Sequence, residues 1–146
     1  PGQKPFDLDP VSGERLWPDH CVQETQGAKI HDGLQLPRAE MLLRKGFRRE
    51  MDSYSAFFEN DHATPTGLAG YGRERGFRRF FFAGLAYDFC VGFSALDARR
   101  CGFEAVVIRD ACRGIDAGGS MATMEADLSR AGLSQVDSRN LQDRTF

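Results

Sequence analysis

Cys90 is the residue in this sequence best placed to do covalent chemistry. The stretch Phe80–Cys101 reads FFFAGLAYDFCVGFSALDARRC, and Cys90 sits at the seam between an apolar run and a helical pattern. A helix N-terminus presents unpaired N–H groups and partial positive charge. That field favours thiolate over thiol and raises nucleophilicity at neutral pH. The same N–H groups can hold a developing oxyanion. The competing reading is an inert small hydrophobe at a strand–helix junction. The other cysteines are weaker candidates. Cys101 closes the helix, where the dipole disfavours a thiolate. Cys112 follows a second strand, in Asp-Ala-Cys-Arg-Gly. Cys21 adjoins His20, but adjacency in sequence does not make a catalytic pair.

Positioning these groups requires strands and helices in alternation. Arg79–Leu85 reads as a strand buried on both faces. Cys90–Arg100 follows as a helix, with Asp88 as N-cap and Gly102 just past its end. Glu104–Arg109 reads as a second buried strand, and Ser120–Ala131 as a helix capped by Ser120 and closed by Gly132. Gln135–Ser138 is a last short strand. This order predicts right-handed βαβ crossovers on a parallel sheet. Sites in such sheets form at the carboxyl ends of strands, where Cys90 lies.

Upstream, Thr66–Gly76 reads as a short helix closed by Gly76, and Asp52–Asn60 as a loop rich in aromatics. Arg38–Lys45, between Pro37 and Gly46, reads as a strand whose end delivers Lys45. Pro1–Pro18 is irregular, punctuated by prolines at 1, 5, 10 and 18.

Composition narrows the class. The 146 residues suit one domain, 1–146, with a single core. Nineteen basic and 21 acidic residues give a net charge of −2, with no basic excess for nucleic acid. The apolar run at Phe80–Leu85 is far too short to span a bilayer. The four cysteines lack metal-finger or C-x-x-C spacing, so a reduced, cytoplasmic protein is expected.

Several segments, taken in order, resemble one family. Gly84–Cys90, GLAYDFC, resembles the nucleophile motif of nicotinamidases within the isochorismatase-like cysteine hydrolases. Leu16–Val22, LWPDHCV, is similar to their W-P-x-H-C-V segment. Lys45-Gly46 followed by Asp52–Phe58, DSYSAFF, resembles their lysine-bearing strand end and substrate loop, and Asp110–Gly114, DACRG, fits the segment after the next strand. The resemblance implies an α/β fold of three α/β/α layers with a mostly parallel sheet. It implies hydrolysis of nicotinamide, and commonly of pyrazinamide, to the acid and ammonia.

Carried over by residue, the resemblance makes Cys90 the nucleophile and Lys45 the cation of an Asp–Lys–Cys triad. The amides of Ala86 and Cys90 become the oxyanion hole, with a cis peptide expected at Leu85–Ala86. Trp17, Tyr54 and Ala86 line the pyridine pocket. His20 becomes one ligand of a divalent metal: zinc first, iron or manganese otherwise. Without the resemblance, Lys45 reads as a solvated strand-end charge, His20 as a loop or cap histidine and Trp17 as core. Tyr54 alone divides evenly between core and surface. His31 and His62 match no ligand position.

Two family elements have no counterpart in the sequence: the first strand with its catalytic Asp, and the D-x-H segment with the other metal ligands. Both are expected before Pro1, in a leading βαβ portion of on the order of 30 residues or more. Tyr87 stands where many relatives carry Thr. Two other readings follow: a catalytically silent remnant acting as an interaction module, and another reaction of the same superfamily, such as isochorismate or N-carbamoyl hydrolysis. Trp17-Pro18-Asp19-His20 favours nicotinamide over the latter. A homo-oligomer is left open.

Overall fold

A run of three phenylalanines followed by Ala-Gly-Leu has no helical period and pairs well on a pleated surface. It forms β1, Arg79–Leu85. The computed structural model describes Leu8, residues 15–49 and residues 51–141. The chain divides into two compact units, Pro1–Met41 and Leu42–Phe146. In the first, the described residues hold a short 3-10 turn at Gln26–Ala28 and a bridge between Leu8 and Arg15. Prolines 1, 5 and 10 of the expected irregular stretch lie outside the described residues.

The second unit carries the sheet. Its elements are α1 (Leu68–Glu74), β1, α2 (Gly92–Arg100), β2 (Glu104–Arg113), α3 (Ser120–Arg130) and β3 (Ser134–Val136). The strands run in the order β1-β2-β3, and both pairings are parallel. Parallel neighbours require crossovers, and α2 and α3 supply them. The fold is α/β, as expected. Gly102 (φ 89°) and Gly132 (φ 67°) stand one residue past the C-caps of α2 and α3, in the left-handed conformation that stops a helix.

Phe80 and Phe82 of β1 pack with Ala105 and Val107 of β2, Ala95 and Ala98 of α2, and Met124 and Leu128 of α3. Alanines on α2 let the helix lie close to the sheet. Phe57 is fully buried, its ring within 5.5–6.4 Å of Phe80, Phe82 and Phe103. Burying one such side chain stabilises by about 1.5–3 kcal/mol. That burial pins the 52–60 loop to the core.

The structure departs from several expectations. β1 is not buried on both faces: Phe81 is 38% and Leu85 73% exposed, because the helices among the described residues cover the opposite face. Arg38–Lys45 is not a strand, since no neighbouring segment among the described residues offers it a ladder. Asp88 is not an N-cap: the helix proper begins later, after a π-helical turn at Tyr87–Val91. Ser120 is the first residue of α3, with Gly119 as its cap. The last strand is Ser134–Val136 rather than Gln135–Ser138, and β2 extends to Arg113.

Candidate active site

At the carboxyl end of β1 the chain has to leave the sheet and start a helix. The Leu85–Ala86 peptide is cis, where the sequence motif placed it. The carbonyl of Ala86 then accepts the amides of Phe89 (3.1 Å) and Val91 (3.0 Å), which winds Tyr87–Val91 into the π-helical turn. Tyr87, Asp88, Phe89 and Val91 are buried, and Cys90 alone in this turn keeps partial exposure. The apolar and hydrogen-bonded neighbours anchor the turn, and the sulfur stays accessible.

Lys45 reaches this sulfur from 45 residues upstream. Its Nζ donates to Cys90 Sγ at 3.3 Å and to the carbonyl of Ser53. Lys45 is half-buried, in a chain with only three lysines. An ammonium this close to sulfur is a ready counter-charge for a thiolate. The loop that receives it is tied internally: Asp52 Oδ1 accepts the Ser53 amide (2.7 Å), and Asn60 Oδ1 the Tyr54 amide (3.0 Å). Tyr54 packs its ring edge-on against Phe89 of the turn that carries Cys90 at 5.5 Å and lies tilted against Phe93 of α2 at 5.6 Å.

The structure therefore brings Cys90, Lys45, Ala86 and Tyr54 together within one unit. Trp17 and His20 belong to the other unit. There their rings meet edge-on at 6.5 Å, and His20 Nδ1 lies 2.7 Å from the Pro18 carbonyl. Metal-ligating histidines commonly make such a contact through the ring nitrogen that does not bind the ion. Among the described residues no group of three or more His, Cys, Asp and Glu could hold a metal. His20 thus stands as one candidate donor outside any such group.

Two of the rival cysteines have surroundings that favour the thiol. Burial pushes the thiols of Cys101 and Cys112 up, away from the thiolate. Cys112 is 2% exposed and hydrogen-bonds the Ile108 carbonyl at 3.2 Å. All four cysteines are free of disulfides.

Two residues around the site escape sequence reasoning. The carboxylate of Asp88 is 2% exposed and accepts the amides of Ile115 (3.0 Å) and Asp116 (2.8 Å) and the hydroxyl of Ser120 (2.6 Å). It fastens the glycine-rich 114–119 loop to the turn that carries Cys90. Burial raises its carboxyl, but these hydrogen bonds outweigh burial and hold it below the ordinary value. Ser94, one helical turn after Cys90, joins the turn to the 52–60 loop. Its spacing of four from Cys90 was the available signal, since serine commonly bonds a carbonyl four residues back.

Residues 6–134 match the isochorismatase domain family. The nicotinamidase of Acinetobacter baylyi is 46% identical over 142 residues, covering 96% of this chain and 66% of that protein. The chain thus spans just under two thirds of that relative's length. The solved nicotinamidase/pyrazinamidase of Acinetobacter baumanii superposes with a TM-score of 0.92 at 44% identity, over 97% of this chain and 69% of that one. A protein from L. infantum, solved in complex with nicotinate, gives 0.81 at 42% identity, over 88% and 64%. The pyrazinamidase of Pyrococcus horikoshii, solved in complex with zinc, gives 0.71 at 32%, over 84% and 64%.

Proposed function

The chain belongs to the isochorismatase-domain family, and from that premise we propose that its protein is a nicotinamidase, with Cys90 as nucleophile. The observation that carries this reading is the 3.3 Å approach of the Lys45 ammonium to the Cys90 sulfur at the end of β1. The names of the close relatives favour nicotinamide over other substrates of the superfamily.

The reaction runs in two steps. The Cys90 thiolate attacks the amide carbon and forms a C–S bond. The resulting oxyanion is received by the amides of Ala86 and Cys90. The C–N bond then breaks, and the nitrogen takes up a proton and leaves as ammonia. Water attacks the thioester, the C–S bond breaks, and nicotinate departs with the sulfur regenerated. Lys45 holds its charge against the sulfur in each thiolate state. Tyr54 supplies a flat apolar wall for the pyridine ring. His20 would contribute one ligand to a divalent metal, with zinc the first choice and iron or manganese alternatives. Free cysteines fit a reducing compartment, and we place the protein in the cytoplasm on that ground. No helix among the described residues is long and apolar enough to cross a membrane.

Ammonia release from nicotinamide by the intact protein tests the reading. Cys90→Ala should lower the rate by at least about a thousandfold, the scale on which nucleophile removal acts. Release that survives this substitution would overturn the cysteine mechanism.

A further inference from the structure

Ser94 is 4% exposed, and its hydroxyl makes two bonds in different directions. It donates to the carbonyl of Cys90 at 2.5 Å, and it accepts the amide of Ala56 at 2.8 Å. The first bond is the common local contact of a helical serine. The second is not local, because Ala56 lies 38 residues away in the loop whose Ser53 carbonyl receives Lys45. The contacts close a ring: Cys90 Sγ to Lys45 Nζ, Lys45 to Ser53, along the loop to Ala56, then through Ser94 back to the Cys90 backbone.

We propose that Ser94 is a positioning residue that fastens the Ser53–Ala56 segment to the nucleophile turn and thereby sets the distance between Lys45 and the Cys90 sulfur. The proposal rests on the reading of Cys90 and Lys45 as the catalytic pair. The physical case is burial: water has no easy access to replace the hydroxyl, so its loss leaves the Ala56 amide without this acceptor. The loop then shifts, and the Ser53 carbonyl shifts with it. A reacting group displaced by about 1 Å can lose a large part of its effect.

The test is the rate at which iodoacetamide alkylates Cys90 in the intact protein, followed across pH by peptide-resolved mass spectrometry so that other cysteines do not interfere. Lys45→Met should slow alkylation at neutral pH. Ser94→Ala should slow it in the same direction by about three- to tenfold, the range of one lost hydrogen bond. The double variant should be no slower than Lys45→Met alone, because the two residues act through one distance. Ser94→Thr, which keeps the hydroxyl, should restore the wild-type profile. Ala56→Pro removes the loop's donor, leaves Ser94 in place, and should also slow alkylation, which keeps the test available if Ser94→Ala does not fold. If Lys45→Met leaves the profile unchanged, the catalytic pairing itself falls. If Lys45→Met slows the reaction while Ser94→Ala or Ala56→Pro does not, or if the Ser94 and Lys45 effects simply add, the positioning role alone is overturned.

Discussion

Four cysteines share this chain, and only the surroundings of each sulfur separate them. Cys90 has a cation at 3.3 Å and partial exposure, while Cys112 has an apolar wall and a carbonyl to bond. The same logic applies to His20, whose value lies in the nitrogen it leaves unused. With Nδ1 beside the Pro18 carbonyl, Nε2 is the nitrogen that would bind a metal. If His20 is a ligand, the intact protein should copurify with a divalent metal, and His20→Ala should lower its content, measured by elemental analysis. Unchanged metal content would remove His20 from the ligand set.

At the scale of elements, the site is a meeting of three loops on the carboxyl side of β1. The turn after β1 carries the sulfur, the 52–60 loop holds Lys45, and the 114–119 loop is clamped by Asp88. The clamp has a signed pH dependence. The folded carboxyl of Asp88 is held below its ordinary value of 3.8. Its contribution is thus present above that value and lost as pH falls through the lower folded value. Asp88→Asn replaces one accepting oxygen by an amino group facing donors, and lost hydrogen bonds to a buried charge cost about 1.5–3 kcal/mol. The variant should melt at a lower temperature than wild type at pH 7, and the gap should narrow as the pH is taken below about 3.8. A gap of constant size across that range would show that the charge of Asp88 plays no part.

For the whole molecule, the sheet has one covered face and one open face among the described residues. A groove of about 630 Å³ runs over the open face, lined by Phe81, Val106, Val136 and Leu141, with Arg79 and Glu104 paired at one end. It contains neither Cys90 nor Lys45, so this groove and the candidate site lie apart. β1 is an edge strand of this sheet. Exposed apolar surface beside an unpaired edge favours association. The 146-residue polypeptide by itself should enhance the fluorescence of 1-anilinonaphthalene-8-sulfonate, and Phe81→Lys should reduce the enhancement. Absence of dye binding would mean that this face is covered in solution.

The division between what was legible and what was not follows the range of the forces involved. Sequence alone determined the bounds of β1, the parallel class of the sheet, the stops of α2 and α3 at Gly102 and Gly132, and the placing of Cys90 at a strand end. Those depend on apolar runs, periodicity and backbone sterics, which act over a few residues. It misjudged the exposed face of β1, because burial depends on what the rest of the chain lays over a strand. It assigned Asp88 and Ser120 to caps, because a side chain's local options are visible in sequence and its distant partners are not. The family motifs named Lys45 and Cys90 as a pair, but their separation of 45 positions carries no spacing rule that brings them together. Only the tertiary structure, by burying Phe57 under the sheet and joining Ala56 to Ser94, decided that an ammonium and a sulfur so far apart in sequence stand within a hydrogen bond of each other.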